Sequence, residues 1–121
     1  MRLASALCFI AAPAFAQSGL RDTDQLLDAA AMADFLSGQV VEFYDGSKSS
    51  YAPDGTYGYT YSDDGPVWAG RYTLHEDSRV CVDFDNGSRR CDQVVKDGDR
   101  AVLITEDGLR FPIRNRSVYQ R

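Results

Sequence analysis

The chain has 121 residues, of which 44% are hydrophobic, and carries 18 acidic against 13 basic side chains for a formal net charge of −5. That balance argues against nucleic acid and anionic lipid as partners, because both require clustered positive charge. The length suits one domain rather than two.

The chain opens with Met1-Arg2, an apolar run from Leu3 to Ala12, and then Pro13-Ala14-Phe15-Ala16 before Gln17. A positive start, a short apolar stretch and small residues at Ala14 and Ala16 are the marks of a secretory signal peptide over 1–16, cut between Ala16 and Gln17. The run is too short for a membrane-crossing helix, which needs about 20 apolar residues, so no transmembrane segment is expected. Cys8 lies in this run, and Ser5-Ala6-Leu7 before it does not make a lipoprotein box. Cleavage leaves 105 of the 121 residues and removes Arg2, so that 12 bases face 18 acids and the net charge becomes −6. The expected location is therefore the periplasm or the secreted fraction.

Residues 17–22 read as a flexible leader, and 23–121 as a single helix-plus-β domain. A helix of about 14 residues is expected from Thr23, capped by Asp22 or Thr23, with Asp24 and Asp28 at the positive end of its dipole. Leu27, Ala31 and Phe35 recur at helical spacing, flanked by Leu26, Ala30 and Leu36, and Gly38 stops the run.

After Gly38 turn pairs recur: Asp45-Gly46, Asp54-Gly55, Asp64-Gly65, Asp77-Ser78, Asn86-Gly87, Asp97-Gly98 and Asp107-Gly108. Their second members are 9, 10, 13, 9, 11 and 10 residues apart, the rhythm of antiparallel strands joined by tight turns. The segments between are rich in Tyr, Val, Phe, Thr and Ile, as strands are. Strands are expected near 39–44, 48–52, 56–62, 67–75, 79–85, 88–96, 100–106 and 109–114. The fold class is mainly β: an antiparallel meander or small barrel of seven to eight strands with one N-terminal helix packed on it.

Two strands alternate clearly. Tyr57, Tyr59 and Tyr61 face one way, and Trp68, Gly70, Tyr72 and Leu74 form a matching row in the next strand. A hairpin at Asp64-Gly65 would set the two rows side by side. Aromatic rows at period two ordinarily fill a core. Tyrosine also keeps a polar tip that needs a partner, so Tyr57, Tyr59, Tyr61, Trp68 and Tyr72 are the candidate ligand-facing residues.

Maturation leaves Cys81 and Cys91, which in an oxidising compartment are expected to pair. A short loop of this kind stabilises by roughly 3 kcal/mol in the chain-entropy model. A two-residue turn at Asn86-Gly87 would set Cys81 opposite Asp92 and aim the sulfurs at opposite faces. A three-residue loop, Asp85-Asn86-Gly87, brings Cys81 opposite Cys91, with Gly87 in the left-handed position of a bulge. The same register sets Asp83 opposite Arg89.

The lone histidine, His75, lies beside Glu76-Asp77 near a turn, and no Gly-x-Ser-x-Gly elbow accompanies it. One histidine and two paired cysteines cannot furnish a zinc site. Asp83-x-Asp85-x-Gly87 resembles the start of a calcium loop without its later ligands. Aspartates before glycine are also what tight turns require. Asp63-Asp64 could in principle do acid–base work, which needs two carboxyls at a set separation across a cleft, but exposed turn acids in so small a domain give no reason to expect it. No catalytic residue, metal or cofactor is expected. The acidic stretch 22–64 and the basic tail with Arg110, Arg114, Arg116 and Arg121 are uneven in charge; the tail is expected to be a solvated edge strand with a frayed end.

A broader pattern runs Leu36-Ser37-Gly38, Tyr44-Asp45-Gly46, Tyr51-Ala52-Pro53-Asp54-Gly55-Thr56-Tyr57, Trp68-Ala69-Gly70-Arg71-Tyr72, Val80-Cys81-Val82, Arg90-Cys91-Asp92 and Gly108-Leu109-Arg110-Phe111. It resembles the small exported alphaproteobacterial β proteins of unknown function of the DUF995-like group, over about residues 36–111. The resemblance implies a periplasmic β domain with a disulfide hairpin and supplies no activity.

The functional expectation is a non-enzymatic binding or protein-interaction module. Two alternatives stand beside it. One is a protein inhibitor of a secreted or envelope hydrolase such as a lysozyme, with a basic secreted protein as partner. The other is a carrier holding a small apolar ligand in an aromatic-lined groove.

Overall fold

The computed structural model describes residues 19–121. The leader, its cleavage site and Cys8 lie outside the described residues.

Nine strands and one helix form among these residues. They are β1 (Asp24–Leu26), α1 (Ala29–Leu36), β2 (Gln39–Phe43), β3 (Lys48–Tyr51), β4 (Thr56–Thr60), β5 (Trp68–Leu74), β6 (Arg79–Phe84), β7 (Arg89–Asp97), β8 (Arg100–Ile104) and β9 (Arg110–Val118). Strands β2 to β9 pair in chain order, each antiparallel to the next, and β9 returns to pair with β2. The sheet therefore closes into an eight-stranded up-and-down barrel, and closure gives each strand from β2 to β9 two neighbours. β1 is a ninth strand outside the circuit, laid on the stretch of β7 from Val95 to Asp97 that lies beyond the end of its ladder with β6.

The Asn86-Gly87 hairpin takes the wider of the two registers. Cys81 opposes Cys91 and Asp83 opposes Arg89. Phe84 N–H donates to Ser88 O at 2.8 Å, Gly87 N–H donates to Phe84 O at 2.9 Å, and Gly87 has φ +93°. The disulfide is formed, and it places both sulfurs on the outer face of the β6–β7 ladder. A second glycine is also forced: a Cβ on Gly70 would come within 2.4 Å of Asp83 O. At that point β5 and β6 approach so closely that only glycine fits.

The helix is shorter than its apolar periodicity suggests and starts later. Asp28 is its N-cap and accepts from Ala31 N–H at 2.8 Å, and residues 24–26 are strand. Tertiary contacts outweigh local propensity at this point. Asp24 is taken by Arg110, whose two terminal nitrogens meet its carboxylate at 2.7 and 3.0 Å. The Arg110 side chain also donates to Gly19 O at 2.7 Å, so residues 19–24, partly read as a leader, lie against the barrel wall. Ser78, buried in the β5–β6 turn, fixes the next residue, Leu27, by donating its own N–H to Leu27 O and accepting from Leu27 N–H. The buried helix positions are Met32 and Leu36, with Leu27 and Phe35 packed beside them.

The basic tail is strand as far as Val118. Residues 110–112 pair with β8 and residues 113–118 with β2, so the stretch that carries Arg114 and Arg116 is hydrogen-bonded on one side only and stays exposed, as an edge does. Its arginines reflect its outward face. Arg116 lies over the Phe35 ring at 4.0 Å and donates to Phe35 O.

Inside the barrel, alternation sets Val41, Tyr51, Tyr57, Val80, Val82, Val94 and Leu103 in one core with Met32 and Leu36. A smaller cluster of Val95, Val102 and Ile104 lies on the outer wall of β7 and β8. No helix among the described residues is long and apolar enough to cross a membrane.

Candidate functional site

The two ends of the barrel are unlike. α1 packs across the end where β2 begins and β5 finishes, and it closes that end with Met32 and Leu36, each fully buried. The opposite end holds a cavity of about 620 Å³ between the turns at Asp45, Asn86 and Asp107. That size falls within the ordinary range for small-molecule pockets.

Six aromatic side chains line it: Phe43, Tyr59, Tyr61, Trp68, Phe84 and Phe111. Leu103 and Leu109 complete the apolar wall. The rings are held edge to face, Phe43 against Phe111 at 6.4 Å and Tyr59 against Tyr61 at 5.0 Å between centroids. Such contacts fix ring positions. Trp68 remains 46% exposed and Tyr61 67% exposed.

The pairing Tyr57↔Gly70 and Tyr59↔Trp68 brings the two aromatic rows together on the inner face, as their alternation suggests. The rows are nevertheless divided by depth. Tyr59, Tyr61 and Trp68 line the cavity. Tyr57 lies below it, 1% exposed, with its hydroxyl 2.9 Å from Ser49 Oγ. Tyr72 is deeper still: its hydroxyl donates to Ala52 O at 2.6 Å and lies 3.3 Å from Ser37 Oγ at the helix end. Tyr57 and Tyr72 join Tyr51 in a stack of edge-to-face rings that fills the barrel above the helix. Burial pushes the Tyr57 phenol up to about 12 and the Tyr51 phenol well above its usual range, so both are neutral at ordinary pH.

The floor of the cavity carries Arg90, which is paired with a buried Asp92 outside the lining. Arg90 Nε donates to Asp92 Oδ2 at 2.9 Å, and the Arg90 guanidinium lies 5.9 Å from the Phe84 centroid. The Asp92 side chain is only 3% exposed and that of Arg90 40%. Asp92 Oδ1 is buried with no hydrogen-bond partner among the described residues. Burial raises the Asp92 carboxyl to about 6, against the opposing pull of Arg90. Glu106 and Asp107 add to the rise by repulsion.

Neither Arg90 nor Asp92 stands out in the sequence until the disulfide register is imposed. With Cys81 opposite Cys91, Arg90 opposes Val82 and Asp92 opposes Val80, so two charges fall within an apolar row. A charge in such a row is the signal by which the pair could be found. Phe43, Phe84 and Phe111 come from three separate strands, and only barrel closure unites them.

The other sequence candidates lie apart. His75 sits at the helix-closed end, its N–H donating to Arg79 O. Asp63 accepts from Lys48 Nζ at 2.9 Å, and Asp83 lies 3.3 Å from Arg89 Nε on the outer face. Compared with protein-family models, curated proteins and solved structures, the chain matches none.

Proposed function

We propose that this is an exported, non-enzymatic binding protein that holds one small, largely apolar molecule in the open end of the barrel. The observation that carries the reading is the 620 Å³ aromatic-walled cavity set over a polar floor. Eight strands make a barrel wide enough for a single small ligand, and the helix closes only one end. Apolar walls with a few fixed polar groups are the usual composition of such a site. The disulfide fits an oxidising compartment, and the signal-peptide reading of residues 1–16 gives the route there.

The test is calorimetric titration of the purified protein with naphthalenemethanol, a neutral aromatic probe. One-to-one binding is expected. Replacing Trp68 and Tyr59 together by Ala should abolish it while the Cys81–Cys91 bond still forms. Binding that survives both changes would exclude this wall as the site.

A further inference from the structure

We infer that the ligand is an apolar acid, with its carboxylate seated on the terminal nitrogens of Arg90 and its apolar body against the aromatic wall. This deepens the cavity reading and rests on it.

Among the described residues, Arg90 is the only basic side chain that lines the cavity. Among the described residues its one hydrogen bond uses Nε, to Asp92. The two terminal nitrogens are the part of the guanidinium suited to a planar, two-point grip on a carboxylate. The guanidinium carbon lies over the Phe84 ring at 5.9 Å from its centroid, within cation–π reach. The rim acids do not offer an equivalent grip on a cation. Asp45 Oδ1 is occupied by Ser47 N–H and Oγ at 2.9 and 2.6 Å, and Asp107 Oδ1 by Thr105 Oγ1 at 2.5 Å. They are turn-forming groups at the solvent edge, where charge is screened.

Asp92 gives the site its second property. As a carboxylate it neutralises Arg90, and a ligand carboxylate arriving at the same guanidinium would set two like charges around one base. The groups that face Asp92 allow one resolution. Among the described groups that act on it, Arg90 is the cation, Glu106 and Asp107 are acidic, and Tyr51 and Tyr57 are neutral phenols. Asp92 therefore takes up a proton as the anion binds. Its buried Oδ1, which has no partner, lies in surroundings that disfavour a second full charge. By linkage, a ligand whose binding takes up a proton binds more tightly as pH falls through the range where the free site is ionised.

The experiment compares naphthoate with its neutral isostere naphthalenemethanol by calorimetry, at about pH 7.5 and about pH 5.5. For the natural sequence, naphthoate should bind about tenfold more tightly at the lower pH, with net proton uptake read from buffers of different ionisation enthalpy. Naphthalenemethanol should bind equally at both. Arg90→Gln should lose at least about tenfold more affinity for naphthoate than for naphthalenemethanol, and the binding of the neutral probe that remains shows that the variant is folded. Asp92→Asn should bind naphthoate tightly at both values and take up no proton. Equal affinity for the two probes, with no pH dependence in the natural sequence, overturns the acid assignment and leaves the cavity reading standing. Failure of both probes to bind overturns the cavity reading itself.

Discussion

The two ends of this barrel are built from nearly the same residue types and do opposite things. At the closed end Tyr51, Tyr57 and Tyr72 pack edge to face with Met32 and Leu36 over them, and their hydroxyls find partners in Ser49, Ala52 and Ser37. At the open end Tyr61, Trp68 and Phe111 keep much of their surface free. Aromatic alternation is common to both. What separates a core from a cavity here is one helix of eight residues, which lies across one mouth of the barrel and not the other. A row of rings records that a face points inward, and the covering element decides whether that interior is filled.

The sharpest way to break the comparison is to unplug the closed end. Leu36→Ala leaves a void against Met32 and the tyrosine stack, and the loss should be about 2–5 kcal/mol by chemical denaturation. Trp68→Ala at the open end should change stability by less than about 1 kcal/mol, because the ring is already half in solvent. Equal costs would mean that the two ends are one continuous core.

A smaller effect comes from the floor between them. Asp92 has a carboxyl raised to about 6 in the folded protein against an ordinary value of 3.8. The folded state thus holds this proton more firmly than the unfolded one, and stability from this group is greatest below pH 3.8 and is lost as pH rises towards 6. The loss should be on the order of 1–3 kcal/mol, and Asp92→Asn should flatten it. Asp24, Asp45 and Asp54 work in the reverse sense. Their carboxyls are held below 3.8, Asp24 by Arg110, Asp45 by Ser47 and Asp54 by Thr56. Their contribution is present above that value and lost as pH falls through the lowered range, so the two windows separate in a denaturation series taken across pH.

The smallest effect is expected on the outer face. Asp83 and Arg89 are well exposed, and Asp83→Asn should cost no more than about 0.5 kcal/mol at low salt. A larger cost would show that this pair, rather than the disulfide, holds the β6–β7 register.

Much of the fold was legible because strand rhythm, turn chemistry and disulfide geometry are local rules. The turn pairs placed β2 to β8 to within two or three residues, and the requirement that Cys81 and Cys91 share a face chose the bulged Asp85-Asn86-Gly87 loop over a tighter one. The aromatic rows of β4 and β5 were placed correctly side by side for the same reason, since a hairpin fixes its own register. Chain order beyond neighbours carried no such signal. Closure depends on β9 reaching β2 across the whole domain, and a tail of arginines reads as a solvated end unless that partner is known. The start of the helix was decided by Arg110, 86 residues from Asp24, and by Ser78, 51 residues from Leu27. The cavity floor was decided likewise: Arg90 and Asp92 acquire their meaning only when Val80 and Val82 lie opposite them and the barrel shuts around the pair. Local sequence determined which residues point inward. The long-range pairing decided which of those inward positions are packed, which are charged, and which remain open to a ligand.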